Sequence, residues 1–500
     1  MNKQQLDHLY YNTKELKLPL DLGIKIPFDS EVRTFDEVFY KSGVKKHLVA
    51  NNKLGRDGYN LVSMLKLVLF CNMINIYSLR DMAKAAENDI RIMWLTDEIT
   101  PSHQAIGNFI NNHLSKNIKE IFKELNQYII KEENIDQDII FIDGTKIESA
   151  ANKYTFVWRG SIEKFEEKLH KKITKLIISL NKEYSPYGII FNEAKKYKVS
   201  YLKKIKVFLN EEITSNKIQF VHGKGKRKTA LQRHFEKTDE YITKLNEYQT
   251  HLEIMGPTRN SYSKTDHDAT FMRMKEDHMQ NQQLKPGYNL QIGVSDEYII
   301  HLMMSSERSD FNTFIPFLEG YKDTYGKYPK YPVADSGYGS LYNYRYLKLN
   351  EMELYQKYGM YEKDTSDKKY LKDEYRPHNY IKLGDKSYQT KSGEVLVYQY
   401  TDKYNKDYYY SKKLDKIKMI HEENLGYQKE AIKNLKSELG IELRVQRSIQ
   451  VEGALGVIKE NYGIRRFRRK GMLKVELEMT LTAIGYNLLK FHNKRYRIIE

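Results

Sequence analysis

Cysteine is nearly missing from these 500 residues. Cys71 stands alone, so no internal disulfide framework and no Cys-based zinc site can form, and a reduced, intracellular compartment fits best. The start, MNKQQLDHLYYNTKEL, has no apolar h-region, which excludes a secretory signal peptide. No stretch is long enough to span a bilayer. The most hydrophobic run, residues 67–79, is interrupted by Asn72 and Asn75 and falls short of the roughly 20 apolar residues a spanning helix needs. It reads as a buried core helix of a soluble protein. Internal repeats, long disordered tracts and a Ser/His/Asp spacing for covalent catalysis are also absent.

What is present is charge of one sign. Lys and Arg number 83 against 66 Asp and Glu, a net charge of +17. Such a surplus asks for an anionic partner, and nucleic acid is the usual one; the bland alternative is nucleotide bias in the coding DNA. Hydrophobic residues make up 40% of the chain, enough for real cores. At roughly 150 residues per domain the length implies about three domains.

Residues 1–55 are mixed and polar, with a short helix expected at 34–40. From 57 to 77 the chain is apolar nearly all round, as a central helix should be. Ser78-Leu-Arg-Asp81 has the form of a capping box opening a helix through Ala86. Thr100-Pro101 reads as an N-cap followed by Pro at the first helical position, with a long helix over 102–132. These helices form either a helix-turn-helix-like unit or a plain bundle.

At Asp138 the texture changes. Residues 139–142, Ile-Ile-Phe-Ile, read as a buried strand ending at Asp143-Gly-Thr-Lys146, and 154–158 as a second short strand. Over 161–253 the pattern is helical. Phe165, Leu169, Ile173, Leu176 and Leu180 form an apolar stripe, predicting a helical hairpin or coiled arm. Within it, Lys224, Lys226, Arg227 and Lys228 crowd a glycine-containing turn that lacks Walker spacing; it reads as a solvated loop or a DNA-backbone contact. Strands are expected at 288–294 and 298–304, then a helix at 310–325 and a strand at 331–334 ending at Asp335. A helix at 341–349 and a strand at 354–356 follow. Residues 360–412, dense in Tyr, predict a β-rich insertion with a hairpin turning at Ser392-Gly393. The tail from 428 to 495 is helical and basic.

Two aspartates, Asp143 and Asp335, thus stand at carboxyl ends of expected strands, where ligands of open α/β sheets gather. Each alone also suits a turn or a helix cap. As a pair they could share divalent cations, which favour hard oxygen donors. Further on, Glu452 and Lys459 lie two turns apart, on one face of a regular helix. Gly453, Ala454 and Gly456 leave room beside Glu452. Arg465, Arg466, Arg468, Arg469 and Lys470 then place five cations in six positions, suited to a phosphate backbone. Asp266 and Asp268 compete as an alternating carboxylate pair. Asp138, at the far end of its strand, is a poor ligand candidate, and His267 and His278 show no ligand periodicity.

Asp143-Gly-Thr, Asp335-Ser-Gly-Tyr-Gly and Glu452 with Lys459 resemble the Asp-Asp-Glu signature of bacterial insertion-sequence transposases. Gly55-Arg-Asp-Gly-Tyr-Asn60 and Ile92-Met-Trp-Leu-Thr96 resemble the amino-terminal helical domain of one branch of that family. Thr265-Asp-His-Asp-Ala269 with Gly287-Tyr-Asn-Leu-Gln291 resembles a segment before the second core strand. The order matches over most of 55–470. Two positions depart from the pattern. Ser448 stands where the family often has arginine, with Arg447 one residue earlier and Val445 in place of a tyrosine; His267 stands where proline is common.

The resemblance implies an α/β, RNase H-like catalytic core, a mixed sheet flanked by helices. To it would be added an all-α N-terminal DNA-binding domain (1–132), a helical insertion (161–253) and a β-rich insertion (360–427). The core would comprise 133–160, 254–359 and the helical 428–500. It further implies two Mg²⁺ ions, replaceable by Mn²⁺, held by Asp143, Asp335 and Glu452. Lys459 and Arg447 would contact phosphate, and the substrate would be double-stranded DNA at the element's terminal inverted repeats. A homodimer would act in the synaptic complex, in the bacterial cytoplasm on the nucleoid, with no membrane partner. Two other readings remain: a non-catalytic DNA-binding descendant, and a metal-dependent nuclease that does not join strands.

Overall fold

Thirteen strands and a set of helices are seen in a computed structural model, which describes residues 22–48, 58–223, 226–274 and 283–496. The β-branched run at 139–142 nucleates β1 (Ile139–Glu148). Phe156–Trp158 (β2) pairs with Ser261–Ser263 (β3), and β4 is Thr270–Arg273. The main sheet adds β5 (Leu284–Ser295), β6 (Tyr298–Ser305), β7 (Tyr331–Gly339) and β8 (Tyr355–Tyr358). β1 lies at its centre, antiparallel to β5 and parallel to β7. β5 carries β6 and β4 on its other edge, and β8 runs parallel to β7.

Helix Glu438–Gly456 packs on β1, β5 and β7, helix Phe314–Tyr325 on β6, and helix Met472–Tyr496 on β6 from beneath the amino-terminal helices. Helix Leu61–Met73 is buried from Ser63 to Met73, as its all-round apolar sequence requires, and lies against helix Met472–Tyr496. Asn126 and Asn487 join three elements: Asn487 Nδ2 donates to Asn126 Oδ1 and to the Ile299 carbonyl, both at 2.8 Å. Helices and sheet therefore share one hydrophobic cluster running from Ile26 to Phe491.

Residues 161–253 form three helices, Arg159–Tyr184, Val199–Ser215 and Ala230–Met255, rather than a two-helix hairpin, and they enclose a cluster of their own. Leu169, Ile173, Leu176 and Leu180 of the expected stripe lie in it, whereas Phe165 is exposed and Ile162, about one turn earlier, packs with Met255 and Tyr262 in its place. The β-rich insertion is a five-stranded antiparallel sheet: β9 (Ile381–Gly384), β10 (Ser387–Gln389), β11 (Val395–Thr401), β12 (Asp407–Ser411) and β13 (Lys416–Ile420). It extends past 412, and β10 and β11 pair across the expected Ser392-Gly393 turn.

Three local expectations are corrected. Ser102, not Thr100, caps the helix after Pro101, its hydroxyl accepting from the Ala105 N–H at 3.2 Å. Ser78 precedes helix Leu79–Asn88 without a side-chain cap bond. The long helix to Glu133 is broken by a π-helical turn at Ile110–Leu114. Among the described residues no helix is long and apolar enough to cross a membrane. Residues 55–57, Lys224 and His278 lie outside the described residues.

Candidate active site

β1 does not end at Asp143; it continues to Glu148, paired with β5 throughout. What ends there is its parallel partnership with β7, whose last matched pair is Ile142 beside Ala334. The next residue on each strand is an aspartate. Pleat alternation turns Asp143 and Asp335 to one face of the sheet, on strands about 4.8 Å apart. Asp143 Oδ1 accepts from the Gly144 N–H at 2.7 Å and Asp335 Oδ1 from the Gly337 N–H at 2.8 Å, which orients both carboxylates.

Helix Glu438–Gly456 covers this face and delivers Arg447. Its guanidinium lies 3.7 Å from Asp143 Oδ2 and 4.0 Å from Glu452 Oε1, bridging the two acids. Arg447 Nη1 is buried without a hydrogen bond. Ser448, in the family's arginine position, donates its hydroxyl to Glu452 Oε1 at 2.9 Å. The Glu452 side chain is 64% exposed and turns outward. Among the described residues no three His, Cys, Asp or Glu side chains stand close enough to hold a metal ion. Two members of the expected triad are thus adjacent, and the third reaches them through Arg447. A cavity of about 210 Å³ beside Asp335 is lined by Arg444, Arg447 and the Lys357–Glu362 ion pair, whose members are 2.7 Å apart.

Residues 20–112 match the family described as Transposase domain (DUF772), and residues 403–492 match Transposase DDE domain. The two matched domains indicate a DDE-type transposase of the insertion-sequence kind. Glu452 and Lys459 fall within the second match, Asp143 and Asp335 outside both. No curated protein and no solved structure matches. Transposases act on DNA, and a DDE domain marks a phosphoryl-transfer enzyme of a kind that generally uses divalent metal ions.

Elsewhere in the chain the expected contacts are redistributed. Lys459 lies on a π-helical turn, Val457–Asn461, not on a regular α-helix, so the two-turn alignment with Glu452 does not hold. Most of the basic hexad has internal partners. Arg465 forks onto Glu460 at 2.7 Å. Arg466 donates to the carbonyls of Ser149 and Ala151 at 3.1 and 3.0 Å. Arg468 lies over the Tyr77 ring at 4.7 Å, and Arg469 donates to Asn111 at 3.2 Å. Lys470 is exposed, as are Lys226 and Arg227, while Lys228 pairs with Glu236 at 2.6 Å. Asp266 and Asp268 form no ligand pair. Asp266 accepts from Ser149 (2.5 Å), Tyr288 (2.7 Å) and the Gly471 N–H (3.1 Å), and Asp268 from the Met472 N–H (2.8 Å). They bracket the end of β1 to the chain that follows Glu452.

A polar group behind the aspartates is absent from the sequence-based site. Gln291 and Asn289 of β5, both fully buried, donate to Asp310 Oδ1 at 3.1 and 2.8 Å. The Tyr338 hydroxyl donates to Gln291 Oε1. Burial, then the charges of Asp310, Asp143 and Asp335, hold the Tyr338 phenol far above its ordinary pKa, with Arg447 opposing. The available signal was two amides at alternate positions of an otherwise apolar strand, which bury only with partners.

Proposed function

We propose that this transposase binds the terminal inverted repeats of its own insertion sequence, cleaves DNA strands there and joins them to target DNA, on an RNase H-like core. The observation that carries the reading is the register of β1 and β7, which sets two carboxylates side by side under the helix bearing Glu452 and Arg447. The strand order β6–β5–β1–β7–β8, in which β5 alone runs antiparallel to the others, supports the core assignment.

The donor set fits a hard divalent cation such as Mg²⁺: carboxylate oxygens on neighbouring strands, with one or two protein ligands sufficient. Asp143 and Asp335 would hold it, with Glu452 completing the set on release from Ser448 and Arg447. A bound ion supplies a lowered pKa for the attacking hydroxyl and neutralisation at the leaving oxygen. Arg447, freed from the carboxylates, and Lys459 would then hold the phosphate oxygens where charge develops. Two protomers would synapse two ends. The test is Mg²⁺-dependent cleavage of a duplex carrying the gene's own flanks, comparing wild type with Asp335→Asn. Cleavage at a flank boundary by wild type only, with the variant still binding, is the expected result. Equal cleavage by Asp335→Asn, or binding without cleavage by either protein in Mg²⁺ or Mn²⁺, would overturn it.

A further inference from the structure

The β-rich insertion is apolar on both of its faces. Tyr388, Leu396, Tyr409 and Ile420 point one way and close over Tyr380 and Leu425 in a cluster of their own. Strand alternation sends their neighbours the other way. On that outer face Ile381 and Leu383 of β9, Val395 and Val397 of β11, and Ile417 and Met419 of β13 are each between 40% and 56% exposed. Tyr410 stands between Val397 and Ile417, and Tyr408 between Tyr400 and Met419, so the apolar surface is continuous across the strands. No charged residue of the five strands is turned to this face. An antiparallel sheet with one open face ordinarily alternates apolar-in with polar-out. An open face that is apolar instead marks a contact with another macromolecule. Two tyrosine hydroxyls are already satisfied at its rim: Tyr410 donates to Asp415 at 2.5 Å and Tyr408 to Asp402 at 3.3 Å. Covering the face strands neither of them.

Charge chooses the occupant. DNA needs cations where it lands, and this face offers none. The chain as a whole carries +17, so two copies repel over most of their surfaces and least where neither is charged. We infer that the outer face of the β-rich insertion is the surface on which two copies of this chain associate. The inference rests on the proposed joining of two element ends, which calls for two protomers. Two such sheets pack face to face about 10 Å apart, and a two-fold axis lets the same patch serve both copies. Area sets the strength. Five strands about 4.8 Å apart and about 17 Å long give a footprint of about 300 Å² per copy. A stable complex buries roughly 800 Å² per partner. The contact is therefore weak between free copies, and holding both on paired ends supplies the effective concentration that consolidates it.

The test is sedimentation of the full chain at rising concentration, with and without a duplex carrying the gene's own flanks. Wild type should pass from monomer to dimer at high concentration, and at lower concentration in added sulfate. Sulfate strengthens apolar burial, whereas salt weakens contacts made to DNA phosphates. Val395→Glu/Val397→Glu places two charges on the central strand, and the two-fold axis repeats each. It should raise the dimer dissociation constant at least about a hundredfold, with the melting temperature unchanged. A second arm uses Val397→Cys. Cys71 is buried, so the new thiol alone is open to reagent. Sheets about 10 Å apart lie beyond disulfide reach, so the probe is a short bis-maleimide. It should bridge two copies at Val397→Cys and not at Lys203→Cys, an exposed position of helix Val199–Ser215. Dimerisation of the double variant at the wild-type concentration overturns the interface. So does a wild type that stays monomeric with and without the duplex, with no bridging at Val397→Cys. None of these readouts scores cleavage, so failure of the interface leaves the cleavage assay above to decide the transposase reading by itself.

Discussion

Gly144, between the candidate ligand Asp143 and Thr145, has no room for a side chain. A Cβ there would lie 3.0 Å from Asp310 Oδ1 and clash with the Gln291 amide. Gly144→Ala should therefore displace the Gln291–Asp310–Tyr338 group, costing about 1–3 kcal/mol and weakening cleavage more than DNA binding. Melting and cleavage assays check this, and no change in either would show the group to be soft. A different residue sets an acid limit. Burial drives the His301 imidazole from an ordinary 6.5 down to about 3, against Phe317 at 4.8 Å between ring centres. Its folded pKa is depressed, so the stabilisation is complete above 6.5 and is lost as pH falls towards 3. Melting temperature should drop over that window in the wild type and drop less in His301→Leu, as calorimetry at several pH values will show.

At the scale of elements, backbone pairing rather than element type determines the site. The expected strand at 139–142 was correct in kind, yet Asp143 is useful because β1 runs on to Glu148 while β7 departs. Two π-helical turns, Ile110–Leu114 and Val457–Asn461, have no counterpart in the apolar periodicity, since one extra residue in a turn leaves composition unchanged. Helix crossing is equally hidden. Gly485 of helix Met472–Tyr496 meets helix Leu61–Met73 so closely that a Cβ would stand 2.5 Å from the Asn72 carbonyl oxygen and 2.9 Å from the Met73 nitrogen. Gly485→Ala must force the helices apart. We expect a loss of about 1–3 kcal/mol, measured by denaturant unfolding with the slope unchanged.

Across the whole molecule, the hydrophobic clusters divide labour. The sheet, the amino-terminal helices and the carboxyl-terminal helix share one, whereas the helical arm and the β-rich insertion have separate ones. Ile173 is fully buried inside the arm. Ile173→Ala should cost about 2–5 kcal/mol, and hydrogen exchange should show faster opening confined to the arm helices, with β1 and β7 protected as before. Faster exchange throughout would mean that the arm and the sheet unfold together.

Residue pattern alone was enough for the buried helix at 61–73, the helix Leu341–Leu349, the hairpin about Ser392-Gly393 and an aspartate on each of the adjoining strands β1 and β7, whereas Glu452 was singled out by the family resemblance. The first four follow from local chemistry: burial of an apolar surface, a turn residue, a carboxylate after a β-branched run. Tertiary packing decided the rest. It gave most of the basic hexad internal partners, turned Asp266 into a bracket, and brought Arg447 between Asp143 and Glu452. It also set Asp310 behind Gly144, across a register shared by residues far apart in the chain. Such pairings depend on which strands meet and in what alignment, and alignment is the outcome of burying all the faces at once.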